Sequence, residues 1–288
     1  MVTTILAADL GKFNSVLCWF DLDTRHTAFR TVRSATSDLR AELIRQPVAQ
    51  VVFEACSQAG WVHDLCVELH LPALVASTTG AAWQWKRVKR KTDRDDALKL
   101  ARLAAVGEIE GVPVPPRAVR QWKSLIGFRK RLVSERVRCQ NRIRGLLVCQ
   151  GLPAPQGAKA WTALGLAGIG QFAQPLAECG PDDLWCGELD RLLDRLRYLD
   201  SQTREVETKL DELAKSDSRV SLLETVPGVG TRTAEVIGVD TTEWAEKTFP
   251  ELALSCYDSA LSNSPETQEC GSASNAQRPP PPPISLQP

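Results

Sequence analysis

The order of strands and helices in the first hundred residues most constrains the fold. Short runs rich in β-branched and aromatic residues predict strands at 3–9, 15–20, 27–33, 49–54 and 73–77. Apolar residues at helical spacing predict helices at 36–46, 60–70 and 94–106. Three strands joined by short turns predict an antiparallel meander, and strands separated by helices predict parallel pairing. The sequence therefore predicts an α/β domain with one mixed sheet.

Four carboxylates lie at the ends of these predicted elements. Asp9 ends the first apolar run and Glu54 ends the fourth. Asp93 and Asp96 lie three residues apart at the start of the third predicted helix, so they share a helix face. We therefore expect two strand ends and one helix to bring the four carboxylates together.

Carboxylates that converge repel one another, and a divalent cation turns that repulsion into binding. Mg²⁺ prefers oxygen ligands and keeps waters that can attack a phosphate. The pattern therefore predicts that Asp9, Glu54, Asp93 and Asp96 are both catalytic residues and ligands of Mg²⁺. The alternative is that each is an ordinary turn or capping residue. That alternative is favoured for one residue alone, whereas the site is favoured for all four in this order.

The basic residues are concentrated in one segment, although the formal net charge of the chain is zero. Between Lys86 and Arg144 the chain has 18 Lys and Arg residues and 6 acidic residues, a composition typical of polyanion binding. Two indole rings immediately precede the first five cations of this segment, which suits base stacking and backbone neutralisation. These residues are Trp83, Trp85, Lys86, Arg87, Lys89, Arg90 and Lys91.

A predicted amphipathic helix continues this basic segment from Arg117 onward. We expect it to contact DNA or RNA through Arg129, Lys130, Arg131 and Arg138. The alternative is a solvated helix face or the flank of a coiled coil, but such faces usually mix charges of both signs. This one has Glu135 as its one acid between Arg117 and Arg144.

Two further patterns predict helical structure in the second half of the chain. Apolar residues three and four apart form a heptad seam of Leu189, Leu192, Leu196, Leu199, Thr203, Val206, Leu210 and Leu213. This seam predicts either an intramolecular hairpin with the 117–149 helix or a dimerising coiled coil. The run from Leu222 to Ala234 has the form of a helix-hairpin-helix, in which Gly228 and Gly230 would let backbone amides approach a phosphate. The alternative is a tight turn between two helices.

Three segments resemble the DEDD motifs of the IS110 family of insertion-sequence transposases. They are Ala8-Asp9-Leu10-Gly11-Lys12, Phe53-Glu54-Ala55-Cys56 and Lys91-Thr92-Asp93-Arg94-Asp95-Asp96-Ala97, and the resemblance continues to Gly230. It implies a ribonuclease-H-like (RuvC-like) domain with Asp9 and Glu54 on adjacent central strands. It also implies catalysis by Asp9, Glu54, Asp93 and Asp96, with Asp95 as a neighbouring acid. DNA, a structured guide RNA and further copies of the chain are the implied partners.

The resemblance ends after Asp240. Transposases of this type continue with a block that holds a nucleophilic serine, and no such block follows here. The remaining sequence is rich in Ser, Pro, Gln and Asn, which predicts a disordered tail. We therefore expect a truncated or frame-disrupted transposase.

The predicted organisation has four parts. Residues 1–110 form the RuvC-like domain, 115–215 the basic helix and coiled-coil region, 216–240 the helix-hairpin-helix element and 241–288 the tail. No apolar stretch of membrane-spanning length occurs, and nine scattered cysteines without a Cys-x-x-Cys pair suit a reducing compartment, so a cytoplasmic protein without membrane contact is expected.

Two classes of function remain open from the sequence. The first is a Mg²⁺-dependent DNA transposase or recombinase, impaired by loss of the serine block. The second is a catalytically inactive protein that still binds nucleic acid. A Holliday-junction nuclease is less favoured, because the helical extension exceeds what that activity needs.

Overall fold

The structure, a computed structural model, describes residues 2–77 and 92–240. Its first half contains a five-stranded sheet with the order β3-β2-β1-β4-β5. The strands are β1 (Thr4–Leu10), β2 (Asn14–Asp21), β3 (Thr27–Arg33), β4 (Gln50–Glu54) and β5 (Ala73–Ala76). The β1–β2 and β2–β3 pairs are antiparallel, while β4 runs parallel to both β1 and β5. The predicted mixed sheet with an antiparallel meander is confirmed.

Burial along the strands explains their order. β1, β2 and β4 are apolar on both faces and buried through their middle residues, so they occupy the centre of the sheet. β3 has no fully buried residue, as expected of a strand at the edge, and its partly buried Phe29 and Val32 lie on opposite faces of the sheet.

Three helices cover the two faces of the sheet. Leu6, Ala8 and Phe53 belong to the hydrophobic cluster that includes residues of α1 (Thr36–Leu43) and α2 (Ala59–Glu68). Ile5, Ala7 and Val52 lie in a second cluster, with residues of α3 (Asp93–Ala105). Neighbouring residues of a strand point to opposite faces, so the two clusters lie on opposite faces of the sheet.

Two long helices dominate the second half. α4 (Arg117–Cys149) packs along α6 (Leu184–Lys215), and the segment between them holds two short 3₁₀ turns and α5 (Ala163–Gly170). The predicted seam on α6 is buried in a cluster shared with α4 residues such as Leu132 and Ile143. The seam therefore packs on α4 of the same chain, which is the intramolecular alternative.

Two short helices follow α6. α7 (Ser218–Glu224) and α8 (Thr231–Asp240) pack on each other and on the α4–α6 hairpin through Val220, Ala234 and Val239. All described residues belong to one compact unit. The domain limits given above stay a prediction.

Several expectations fall on residues that the structure does not describe. They concern Trp83, Trp85, Lys86, Arg87, Lys89, Arg90 and Lys91, and the tail 241–288. Among the described helices, none is both long and apolar enough to cross a membrane. The cysteines of residues 2–77 and 92–240 are all free thiols.

Candidate active site and nucleic-acid surface

Asp9 and Glu54 occupy neighbouring positions at the ends of β1 and β4. The parallel register pairs Ala8 with Phe53, so the next residue of each strand, Asp9 and Glu54, is adjacent to the other. Both carboxylates share the strand face of Val52, which is the face that α3 covers. Each residue is half-buried. The sheet thus brings together the two carboxylates that the sequence predicted to be adjacent.

The first turn of α3 contains the other predicted carboxylates. Asp96 precedes Ala97 and lies one turn before Leu100, two residues that are buried against the sheet. Its Oδ1 atom is fully buried, whereas Asp93 is exposed. The helix therefore presents Asp96 toward the sheet face on which Asp9 and Glu54 lie, and Asp93 is one turn nearer its exposed end.

Asp95 has a different role from its neighbours. The Thr92 side chain caps α3 by accepting from the Asp95 amide at 3.3 Å, and Asp95 Oδ2 accepts from the Thr92 amide at 3.1 Å and its hydroxyl at 2.6 Å. These hydrogen bonds from Thr92 lower the pKa of the Asp95 carboxyl. Asp95 completes a capping box, which stabilises the start of the helix.

The turn after β1 is fixed by two side chains that the sequence analysis missed. Ser34 Oγ and Gln58 Nε2 each donate to the carbonyl oxygen of Gly11 at 2.6 Å. Gln58 follows β4 closely, so this contact ties together the chain segments that leave both carboxylate-bearing strands. A side chain at Gly11 would place its Cβ 2.3 Å from the Asn14 carbonyl oxygen, so glycine is required. Isolated Ser and Gln residues in loops give no sequence signal of this kind.

The donor set fits a hard divalent cation by its chemistry, since all predicted ligands are carboxylates. Within residues 2–77 and 92–240, however, no three Asp, Glu, His or Cys side chains are grouped closely enough to hold a metal ion. The main-chain arrangement thus places the carboxylates on one side of the sheet without gathering them into one cluster.

The predicted basic residues of α4 differ in their surroundings. Arg129 Nε donates to Glu207 of α6 at 2.8 Å and is half-buried, so it joins the two helices. Arg131 is exposed, and its guanidinium lies over the Phe128 ring. Lys130 lines a cavity of about 300 Å³ beside α8, and Arg138 lines a cleft between α4 and α6.

The predicted helix-hairpin-helix residues lie between α7 and α8. Gly228 has a φ of +88°, a conformation that residues with a side chain rarely adopt. The Gly230 carbonyl accepts from the amides of Thr233 and Ala234, so it begins α8. Apart from chain neighbours, no atom of residues 2–77 or 92–240 lies within 4 Å of the place where a Cβ of either glycine would stand, so among these residues the turn is open on that side.

The chain is similar to known transposases. The model of a transposase family, DEDD type of IS110, matches residues 7–149, a range that contains all four predicted carboxylates and α4. Over 233 residues the chain is 27% identical to the transposase for insertion sequence element IS1111A of Coxiella burnetii, covering 80% of this chain and 61% of that protein. A probable family 20 transposase of Pseudomonas aeruginosa is 29% identical over 194 residues, which are 66% of this chain and 55% of that protein. The chain thus spans less than two thirds of the length of these relatives.

The chain is also similar to a solved structure. It is T. thermophilus RuvC in complex with a Holliday junction substrate, with a TM-score of 0.27 and 14% identity, covering 38% of this chain and 99% of that chain.

Proposed function

The chain belongs to the IS110 family of transposases, and we propose that its first half supplies the Mg²⁺-dependent carboxylate site of a DNA transposase or site-specific recombinase. The observation that supports this most is the adjacency of Asp9 and Glu54 at the ends of two parallel central strands. A turn or capping role for each residue alone would not require the two to be side by side on one face.

Asp9, Glu54, Asp96 and Asp93 would hold the cation through their carboxylate oxygens. When bound, a divalent cation would polarise a phosphate oxygen and lower the pKa of a water molecule, whose deprotonated form can act as the nucleophile. The protein positions these ligands by the β1–β4 register and by the packing of α3 on the sheet. The hydrogen bonds of Ser34 and Gln58 to Gly11 hold the adjoining turn.

Nucleic acid is the proposed substrate. We propose that DNA contacts the exposed cations of α4 together with the residues from Trp83 to Lys91, and that the open turn at Gly228 and Gly230 receives a backbone phosphate. A structured guide RNA and further copies of the chain are proposed as partners on the basis of the family.

The test is cleavage of branched DNA in Mg²⁺ by the wild-type protein and by Asp9→Asn and Glu54→Gln. Each variant should lose at least about 100-fold in rate, because even the loss of a residue that only supports a metal ligand costs about 10- to 100-fold. Asp23→Asn is the matched control. It also removes one carboxylate from this domain, but it follows β2 at the opposite end of the sheet.

Metal binding gives a second readout that does not depend on cleavage. Calorimetric titration with Mg²⁺ should show weaker binding for Asp9→Asn and Glu54→Gln than for Asp23→Asn. Equal cleavage by all variants would contradict the proposed site. Binding of DNA with no cleavage by the wild-type protein would instead support a nucleic-acid-binding protein without catalytic activity.

A further inference from the structure

The two flanks of the α4–α6 hairpin differ in their charge balance. On one flank, Arg129 Nη2 lies 2.6 Å from Glu207 Oε1, and Arg136 Nε lies 2.8 Å from Asp200 Oδ1. The partners are seven residues apart on each antiparallel helix, so the two ion pairs follow one another along the seam. Arg129 and Arg136 therefore each have a carboxylate partner on the other helix.

The opposite flank carries more cations than acids. Arg138 and Arg142 of α4 and Arg195 of α6 line a cleft of about 310 Å³, together with Glu135, Cys139 and Leu192. Glu135 is the one acid of this lining, and its Oε2 lies 3.6 Å from Arg195 Nη2. Within residues 2–77 and 92–240, Arg138 and Arg142 have no ion pair or hydrogen bond from their side chains, and both are exposed.

This arrangement costs stability unless an anion is bound. Arg138 and Arg142 lie four residues apart on one helix face, and like charges at that spacing destabilise a helix. Guanidinium groups present paired N–H donors that match two oxygens of a phosphate. Three of them around a cleft with one carboxylate leave a clear excess of positive charge.

We propose that this cleft binds a backbone phosphodiester of the nucleic acid, held by Arg138, Arg142 and Arg195. This inference rests on the proposed function, because it assigns a specific contact to the nucleic acid expected there. It also separates the α4 cations by role: Arg129 and Arg136 join the two helices, while Arg138 and Arg142 face the ligand. Glu135 limits the affinity by competing for Arg195.

The test compares how strongly salt weakens binding. Fluorescence anisotropy would measure the affinity for a 20-base-pair DNA duplex, and for an RNA hairpin of similar length, over a series of KCl concentrations. The cleft variant combines Arg138→Ala, Arg142→Ala and Arg195→Ala. The matched control combines Arg191→Ala, Arg197→Ala and Arg204→Ala, which removes the same charge from exposed positions of α6.

The cleft variant should lower the slope of log affinity against log salt by about 1 or more, because each phosphate contact contributes about 0.9 on duplex DNA. The control should change the slope by less than half as much. The probe with the larger loss, DNA or RNA, identifies the source of the phosphate. Equal slopes for the two variants on both probes would overturn the proposal.

Two further variants guard against a folding defect. Replacing the three arginines by lysine keeps the charge, so most of the wild-type slope should remain. Glu135→Gln removes the competing carboxylate, so it should bind at least twofold more tightly, a gain that misfolding cannot produce. Unchanged or weaker binding by Glu135→Gln would also count against the cleft.

The outcomes separate this inference from the proposed function. If the wild-type protein binds neither probe, both fail. If Asp9→Asn abolishes cleavage while the cleft variant keeps the wild-type salt slope, only the phosphate cleft fails.

Discussion

Neighbouring carboxylates at the start of α3 have different tasks. Asp95 accepts hydrogen bonds from Thr92 and is exposed, whereas Asp96 lies one position later and has a buried oxygen against the sheet. The difference follows from helical geometry, since a step of one residue rotates the side chain by about 100° around the axis. The sequence Asp93-Arg94-Asp95-Asp96 does not show which acid caps the helix, because Asp suits both roles.

The capping role predicts the outcome of changing Thr92. Thr92→Ala should lower the free energy of unfolding by about 1 kcal/mol, because it removes the side-chain acceptor at the start of α3. The cleavage rate per folded molecule should change little. Chemical denaturation and cleavage assays on one preparation would measure both. Asp96→Asn is the comparison, for which cleavage should fall far more than stability.

The lowered pKa of Asp95 gives this role a pH dependence. A carboxyl whose pKa is lower in the folded state stabilises the fold at pH values above its unfolded pKa, and the contribution disappears as pH falls through the folded pKa. The stability difference between wild type and Asp95→Asn should therefore shrink in acid. A difference that stays constant with pH would contradict the capping box.

At the scale of elements, the strands could be predicted more completely than the helix partners. Each strand can be predicted from its own residues, because the pattern of apolar and polar residues along it indicates whether one or both faces are buried. The α6 seam is different, since Leu196 and Leu199 would pack equally well on α4 or on a second copy of the chain. Only the folded structure shows α4 covering that seam.

The turn at Gly11 shows the same limit for the candidate site. The positions of Asp9 and Glu54 could be predicted because both end apolar runs. The support from Ser34 and Gln58 could not, because it depends on contacts between residues 23 and 47 positions apart in the sequence. Sequence therefore predicts where the carboxylates lie better than what holds them.

A buried carboxyl group in the packing of α8 makes the stability of the fold depend on pH. Glu235 is 1% exposed; its Oε2 accepts from Arg232 at 2.9 Å, while Oε1 has no hydrogen-bond partner within the described residues. Burial raises the pKa of Glu235, although the Arg232 and Arg129 charges oppose the shift and Glu224 adds to it. Arg232 also pairs with Asp211 of α6, so this group of charges joins α8 to the hairpin.

This raised pKa predicts the sign of a pH effect. An acid with a higher pKa in the folded state binds more protons when folded, so stability falls as pH rises from about 4.5 through the folded pKa. Glu235→Gln removes that loss, so the variant should gain stability relative to wild type between pH 4.5 and 7. Urea unfolding across this range would measure it, with exposed Glu205→Gln as the control. Parallel curves for wild type and Glu235→Gln would contradict the assignment.

At the scale of the whole molecule, an ion pair between Arg120 and Asp64 joins the sheet domain to the helical region. Arg120 of α4 contacts both carboxylate oxygens of Asp64 on α2, at 2.6 and 2.5 Å, and also donates to the Pro115 carbonyl at 2.9 Å. Arg120 is 22% and Asp64 38% exposed, so solvent screens this pair only in part. The guanidinium lies across Gly60, where an added Cβ would be 1.9 Å from Nη1.

Gly60→Ala should therefore break the Arg120–Asp64 ion pair without removing a charge. The new methyl group displaces the guanidinium from Asp64, while α2 gains a residue with better helix propensity. The sheet domain and the helical hairpin have separate hydrophobic clusters. Without the ion pair they should unfold less cooperatively. Calorimetry should then show a broader or divided transition, and amide exchange should rise around Pro115.

Arg120→Ala, which removes the same ion pair, should have the same effect. Arg117→Ala, an exposed change in the first turn of α4, should leave one sharp transition. If Gly60→Ala and Arg120→Ala both unfold as cooperatively as Arg117→Ala, the two clusters are coupled by packing alone and the ion pair has no part in joining them.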